Sequence, residues 1–319
     1  VSDHSAIEWT DATWGPVVGC TKVSAGCDNC YAERFVNRFA GTRPAFPHRF
    51  DVVTLRPQFL DLPLRWRKPR RIFVNSLADL FHDDVPDGYI ARVWEIMAAT
   101  PQHTYQILTK RHARMRTLLR SDDFLDIFEL GGAEYPLPNV WLGVSIEDQR
   151  WADIRIPALL DTPAAVRWVS AEPLLGPVNL YRWLGRWPGP ADTLDWVVAG
   201  GESGPGARPA HPDWFRSLRE QCALSGVPFL FKQWGEWQDG SIRPGQRGVN
   251  HIIVPDGRHE LAVEHQAYPD GPLTALARDR MSNCMGRGRA VFVSRVGKKA
   301  AGRELDGRTW DEYPQAMPA

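Results

Sequence analysis

Three cysteines fall within eleven residues in the run Gly19-Cys20-Thr21-Lys22-Val23-Ser24-Ala25-Gly26-Cys27-Asp28-Asn29-Cys30-Tyr31, spaced C-x6-C-x2-C. Thiolate sulfur is a soft donor for iron and zinc, and three thiolates on one short loop can hold three irons of a four-iron cluster while the fourth stays open to a ligand. Gly26 permits the tight turn that such a loop needs. A zinc site completed by a histidine or a distant cysteine uses the same donors and is the competing reading, although a second C-x2-C pair is missing. Cys284 is available as a fourth ligand. Cys222 sits in a helical pattern, where a cysteine is ordinarily a small buried hydrophobe. Five cysteines in all, an odd number, fit a disulfide framework poorly.

The elements that must position this loop follow from hydrophobic periodicity. Six short runs rich in β-branched and aromatic residues predict strands at 71–75, 105–109, 140–144, 166–170, 196–200 and 228–232. Between them, segments of helical period predict helices at 86–99, 111–119, 147–160 and 212–225, the last opened by a Pro-Asp pair. Regular β then α alternation implies a parallel sheet with right-handed crossovers, and six or more units in one direction favour an α/β fold of full or partial (β/α) barrel type.

Polar residues collect where these strands end: Asn75, Ser76 and Asp79; Thr109, Lys110 and Arg111; Ser145 and Glu147; Ser170 and Glu172; Gly200, Gly201, Glu202 and Ser203; and Lys232, Gln233 and Trp234. Active sites of parallel α/β proteins assemble on that edge. For any single residue, Arg111 or Ser203 above all, a solvated turn is the plainer explanation, so the set carries more weight than its members.

The chain has 319 residues and a mass of 36.0 kDa, with 38 basic and 38 acidic side chains, which excludes polyanion binding by the whole surface and confines it to patches. Two segments are locally basic. Residues 65–71 carry five basic side chains around Trp66, and residues 278–308 carry nine against three acidic ones, with small residues that let a phosphate approach the backbone. Solvated surface or pairing with acidic groups elsewhere explains the same charges. Fourteen tryptophans exceed what such a core needs. Packing is the better account of each one, while Trp234 and Trp237, beyond the last strand, are candidates for stacking on a base. After Trp234 the texture turns polar and glycine-rich. A barrel unit over 1–237 and a C-terminal extension over 238–319 are expected, the extension holding a hairpin around Pro255-Asp256-Gly257. No apolar run approaches the roughly 20 residues of a membrane-spanning helix and residues 1–8 have no signal-peptide character, so a soluble, cytoplasmic protein is expected.

The sequence resembles a radical-SAM-like family of unknown function found in phages and bacteria. The likeness is carried by Ile7-Glu8-Trp9-Thr10-Asp11-Ala12-Thr13-Trp14, the cysteine loop with Cys30-Tyr31-Ala32-Glu33, Asn75-Ser76-Leu77-Ala78-Asp79-Leu80-Phe81, Trp141-Leu142-Gly143-Val144-Ser145, Ser170-Ala171-Glu172-Pro173, Gly200-Gly201-Glu202-Ser203-Gly204 and Phe231-Lys232-Gln233-Trp234-Gly235. It implies a barrel with a [4Fe-4S] cluster on Cys20, Cys27 and Cys30. S-adenosyl-L-methionine would chelate the open iron and be cleaved to a 5′-deoxyadenosyl radical, the electron coming from an external donor such as flavodoxin or ferredoxin. By position, Asn75, Ser76 and Asp79 would meet the methionine amino group, Ser145 and Glu147 the ribose, and Gly200 and Gly201 the cofactor backbone. Glu172, Glu202 and Lys232 would contact substrate or cofactor. The first cysteine gap is three residues longer than the usual C-x3-C-x2-C, and Asn29 replaces the usual aromatic, with Tyr31 one residue later. A more distant likeness to spore photoproduct lyase, which works on DNA, together with the basic segments, points to a nucleic acid or nucleotide substrate. The other reading is a non-catalytic zinc or iron–sulfur protein that binds nucleic acid.

Overall fold

The computed structural model describes residues 5, 7–127, 134–185, 193–240, 249–253, 256, 259–261 and 291–314. Its centre is a seven-stranded, wholly parallel sheet formed by β1 (Ala12–Trp14), β4 (Arg71–Val74), β5 (Thr104–Thr109), β6 (Val140–Ser145), β7 (Val166–Ala171), β8 (Trp196–Gly200) and β9 (Phe229–Gln233), hydrogen-bonded in that order. The six predicted strands are all present within a residue or so. The seventh, β1, escaped prediction because three residues of Ala-Thr-Trp show no readable alternation.

The crossovers contain α2 (Asp87–Ala98), α3 (His112–Leu119), α4 (Asp122–Ile127), α5 (Gln149–Leu160) and, before β9, α6 (Pro212–Ser225). Each of the four predicted helices is found. Helix α6 starts as expected, with Pro212 at its first position and His211 capping Asp213 N, and ends on left-handed Gly226 (φ 70°). Helix α5 starts two residues later than predicted because Asp148 leaves the helix to cap Trp151 N, which keeps Glu147 extended at the strand end.

A sheet whose neighbours follow chain order carries its helices on one face and curls around the other. The apolar side chains divide accordingly. Ile72, Val74, Tyr105, Ile107, Val140, Leu142, Val144, Val169, Val197 and Phe231 join the helices in the main core, whereas Phe73, Trp141, Trp168, Trp196, Val198 and Leu230 form a second cluster on the concave face around Trp9. The Trp9 ring lies 4.8 Å from Phe73 on β4 and 6.0 Å from Trp196 on β8. Four strand spacings in a flat sheet would separate those residues by about 19 Å, so one indole meets both only because the sheet is bent into a partial barrel.

Three smaller parts complete the fold. The two-residue strands β2 (Val17–Val18) and β3 (Thr54–Leu55) pair beside the barrel, with α1 (Tyr31–Phe39) between them in sequence. An antiparallel sheet contains β10 (Trp237–Asp239), β11 (Val249–Ile253), β12 (His259–Leu261) and β13 (Val291–Arg295), and β11 with β12 is the hairpin expected around Pro255-Asp256-Gly257. Finally, residues 310–313 return to the barrel: Phe231 N donates to Trp310 O, Glu312 N to Phe229 O and the Trp196 indole to Glu312 O, while Tyr313 lies between Trp196 and Arg71. This segment bridges the edge strand β9 toward β4 across the barrel's open side. No helix among the described residues is long and apolar enough to cross a membrane.

Candidate functional site

Strand alternation that fills the lower concave face with rings puts Lys110, Ser145, Ser170, Glu172, Gly200 and Lys232 higher on the same face, toward the C-terminal ends. Gly143 leaves room for the Trp168 ring, since a Cβ there would stand 2.4 Å from it. The concave side is therefore an aromatic floor beneath a polar mouth.

The cysteine loop lies against that mouth. Cys20 continues from β2: Gly19 N donates to Leu77 O and Cys20 N to Phe50 O, and Gly19 (φ 98°) must be glycine because a Cβ would stand 2.5 Å from Val52 O. Cys27 ends a single 3-10 turn, Ala25–Cys27, and Cys30 precedes α1 directly. Cys20 and Cys30 pack on the small apolar cluster of Val18, Ala32, Val36, Phe46 and Phe50.

Three tethers fix the loop. On one side Ser24 Oγ donates to Glu147 Oε1 (2.6 Å), while Glu147 Oε2 pairs with Arg155 Nη1 (2.9 Å), both side chains being fully buried. Gly26 makes this fit possible, because a Cβ there would meet Glu147 Oε1 at 2.3 Å. On the other side Glu202 accepts from Arg208 Nη2 (2.6 Å), Arg208 N (2.7 Å) and Asn29 Nδ2 (3.1 Å), and Arg208 continues to Ala25 O (2.8 Å) and Asp28 Oδ2 (3.2 Å). Burial raises the Glu202 carboxyl, but the hydrogen bonds from Arg208 and Asn29 win and hold it below the usual carboxylate range. The third tether joins Thr21 Oγ1 to His82 Nε2 (2.8 Å) and to Arg111 Nη2 (2.7 Å).

Arg111, which the sequence leaves as a solvated turn residue, is thus a mostly buried contact of the cysteine loop. Burial first, then the Asp79 carboxylate, pushes the Cys20 thiol up to about 12, and Arg111 only partly offsets them. Glu147 and Glu202 both face the loop. Asp79 is committed too, accepting from Thr109 Oγ1 (2.7 Å), Lys110 N (3.0 Å) and Phe81 N (3.0 Å), which ties the ends of β4 and β5 together.

Glu172 and Lys232 meet at the strand ends: Lys232 Nζ donates to Glu172 Oε2 (2.7 Å) and Gln233 Nε2 to Oε1 (2.9 Å). Gly200 lies under this pair, with Glu172 Oε1 3.1 Å from where its Cβ would be. Gly201 serves packing of the chain on itself, since its Cβ would stand 2.1 Å from Trp234 O. Ser76 contributes its backbone oxygen to the Tyr31 hydroxyl (2.5 Å). Desolvation at the hydroxyl end, then the charges of Cys30 and Glu172, hold that phenol above its ordinary range. Asn75, at the end of β4 with φ 60°, accepts from Val17 N (3.1 Å), and its Nδ2 is a buried donor without a partner among the described residues.

Trp234 and Trp237 are not stacking platforms. Both are buried, and their indole nitrogens donate to Glu304 O and Ala207 O. Cys222 is buried in α6, as expected of a core residue. Cys284 and residues 278–290 of the basic segment lie outside the described residues.

Sequence reasoning missed Arg155, Arg208, Asn29 and Ser24. Arg155 lies two helical turns into α5, and nothing in its spacing from Glu147 marks the pair. Asn29 stands where the family pattern has an aromatic, and that departure was the available signal.

Among the described residues, no three His, Cys, Asp or Glu side chains are drawn together as a metal-holding group. The donor chemistry nevertheless suits an iron–sulfur cluster: Cys20, Cys27 and Cys30 are unbridged thiols, partly exposed, on one loop fastened on three sides. A desolvated thiol such as Cys20 favours its protonated form until a cation compensates the thiolate.

Residues 4–314 match the model of a family described as "Protein of unknown function (DUF5131)". Among solved structures, a cysteine-to-serine variant of spore photoproduct lyase is similar at a TM-score of 0.41 and 12% identity, over 90% of this chain and 78% of that one. No curated protein matches the chain.

Proposed function

The chain belongs to the DUF5131 family, and we propose that it is an iron–sulfur enzyme of radical S-adenosyl-L-methionine type acting on a nucleic acid or nucleotide. The observation that carries this reading is the C-x6-C-x2-C loop fastened by Glu147, Glu202–Arg208 and His82–Arg111 against the polar mouth of a parallel partial barrel. Cys20, Cys27 and Cys30 would hold a [4Fe-4S] cluster. When loaded, such a cluster supplies the electron that converts S-adenosyl-L-methionine into a hydrogen-abstracting 5′-deoxyadenosyl radical.

The protein's own groups divide the remaining work. The aromatic floor of Trp9, Phe73, Trp168 and Trp196 closes the lower end of the barrel to water. Asn75 Nδ2, a buried donor with bonding capacity left, is the cofactor-contact candidate of the β4 end, because the Asp79 carboxylate is committed to the β5 end. Lys232 gives one hydrogen bond to Glu172 and retains further N–H groups for an anionic or carbonyl oxygen of the substrate. Glu172 keeps that ammonium in place at the mouth.

Anaerobic reconstitution tests the proposal. The expected outcome is iron and sulfide near four per chain and 5′-deoxyadenosine on reduction in the presence of S-adenosyl-L-methionine. Stoichiometric zinc without iron uptake would favour the structural-metal reading and sink this one. Cys27→Ala should abolish cluster assembly while Cys222→Ala leaves it intact.

A further inference from the structure

Helix α1, which begins immediately after Cys30, buries Ala32 and Val36 and turns an aromatic and basic face outward. Tyr31 and Phe35, spaced i and i+4 and so adjacent on the helix surface, are 55% and 43% exposed. Phe39 continues the same row and stacks with Phe46, and the Arg43 guanidinium lies 3.9 Å above the Phe39 ring. Arg38, Arg43, His48 and Arg49 are all exposed around these rings. Over 31–51 the chain has four arginines against two acidic residues, Glu33, paired with Lys22 (3.3 Å), and Asp51, paired with Arg49 (3.8 Å). Neither Arg38 nor Arg43 has a carboxylate partner among the described residues, although the chain as a whole is neutral. Phe35 packs edge-on against Phe39 and Phe46 and leaves the rest of its ring in solvent, and exposed rings beside guanidinium groups without a carboxylate partner among the described residues mark an interaction surface.

We propose that the α1 face, Tyr31, Phe35, Arg38 and Arg43 with the following Arg49, is a docking platform for single-stranded nucleic acid. Unstacked bases find π-faces on Tyr31 and Phe35, and the strand's phosphates find the arginines. Duplex nucleic acid offers no open base faces to the rings, which is why the single strand is the occupant. Placement supports the assignment: Tyr31 has its ring outside and its hydroxyl on Ser76 O, near Cys30 and Glu172, so the platform runs to the rim of the mouth containing Lys232. A strand lying along α1 would present one nucleotide to that mouth. Only this last point rests on the function proposed above. The platform itself needs neither a cluster nor turnover.

The test is fluorescence anisotropy of the full chain, without added metal, against a labelled mixed-sequence single-stranded oligonucleotide of about 12 residues, with its duplex and an acidic flavodoxin as comparison ligands. Phe35→Leu keeps the apolar packing and removes the π-face, and is expected to weaken single-strand binding about five-fold or more. The Arg38→Gln/Arg43→Gln double variant is expected to lower the slope of log affinity against log salt by about 1.4, near 0.7 for each lost phosphate contact. Equal single-strand and duplex affinity, an unchanged salt slope in the arginine variant, or tight binding of the flavodoxin in place of the oligonucleotide would each overturn the proposal. Thermal melts of both variants matching the parent exclude a folding artefact. If platform binding is found and reconstitution yields no cluster, the enzyme reading fails and this one stands.

Discussion

Replacing Glu147 by glutamine changes one charge at the place where the cysteine loop meets the barrel. Glutamine keeps the carboxylate's shape and still offers an oxygen to Ser24 Oγ, so the hydrogen bond of 2.6 Å has a substitute. What disappears is the counter-charge of Arg155, a fully buried guanidinium whose Nε and Nη2 already have no hydrogen-bond partner among the described residues. Burial disfavours its charged form, and Glu147 is the first of the groups that oppose this, ahead of Cys27 and Asp79. Removing one partner of a buried pair typically costs about 3–5 kcal/mol. With an unfolding entropy of about 2.1 cal/mol/K per residue spread over 319 residues, each kcal/mol moves the midpoint by about 1.5 °C, so a fall of about 5–8 °C is expected for Glu147→Gln in calorimetry of the metal-free chain. Because the cost is the stranded charge, the Glu147→Gln/Arg155→Met double variant should recover at least half of it. A fall below about 1 °C, or a double variant less stable than the single one, would refute the assignment of this pair as the loop's buried anchor.

Gly26→Ala should displace the loop, since its Cβ would stand 2.3 Å from Glu147 Oε1; reconstituted iron per chain should drop by half or more while far-ultraviolet circular dichroism is unchanged. Gly201→Ala meets backbone, Trp234 O at 2.1 Å, and a loss of about 2–3 kcal/mol in urea unfolding is expected from overpacking. The Glu202 carboxyl is depressed in the folded protein, so its contribution is complete above its unfolded value near 4.5 and is lost as pH falls from there through the folded one. The stability gap between the parent and Arg208→Gln should therefore be wide at pH 6 and narrow at pH 3.5 in denaturant titrations; a gap independent of pH would contradict the role given to Arg208.

Most of the barrel was legible. Strands buried on both faces read as short apolar runs, and four helices between them read from their period, so β5 to β9 were placed to within a residue or so. What was not legible lay near the chain's start, where β1, β2 and α1 are too short or too polar for periodicity to mark them. The polar residues at strand ends were legible as a set and not as individuals. Glu147, Glu172, Glu202 and Asp79 are chemically alike in the sequence, and only their neighbours distinguish a carboxylate fastened to the cysteine loop from one paired with Lys232.

The sequence by itself determined the thiol donor set, the parallel alternation and the edge where polar groups gather, because each follows from residue type and local spacing. Tertiary structure decided which carboxylates hold the cysteine loop, that Trp234 and Trp237 are packed away, and that α1 shows rings and arginines to solvent. Those outcomes depend on contacts between residues far apart in the chain, such as Asn29 with Glu202, 173 positions away, and Ser24 with Glu147, 123 positions away. They exist only after the sheet has curled, and no local pattern encodes them.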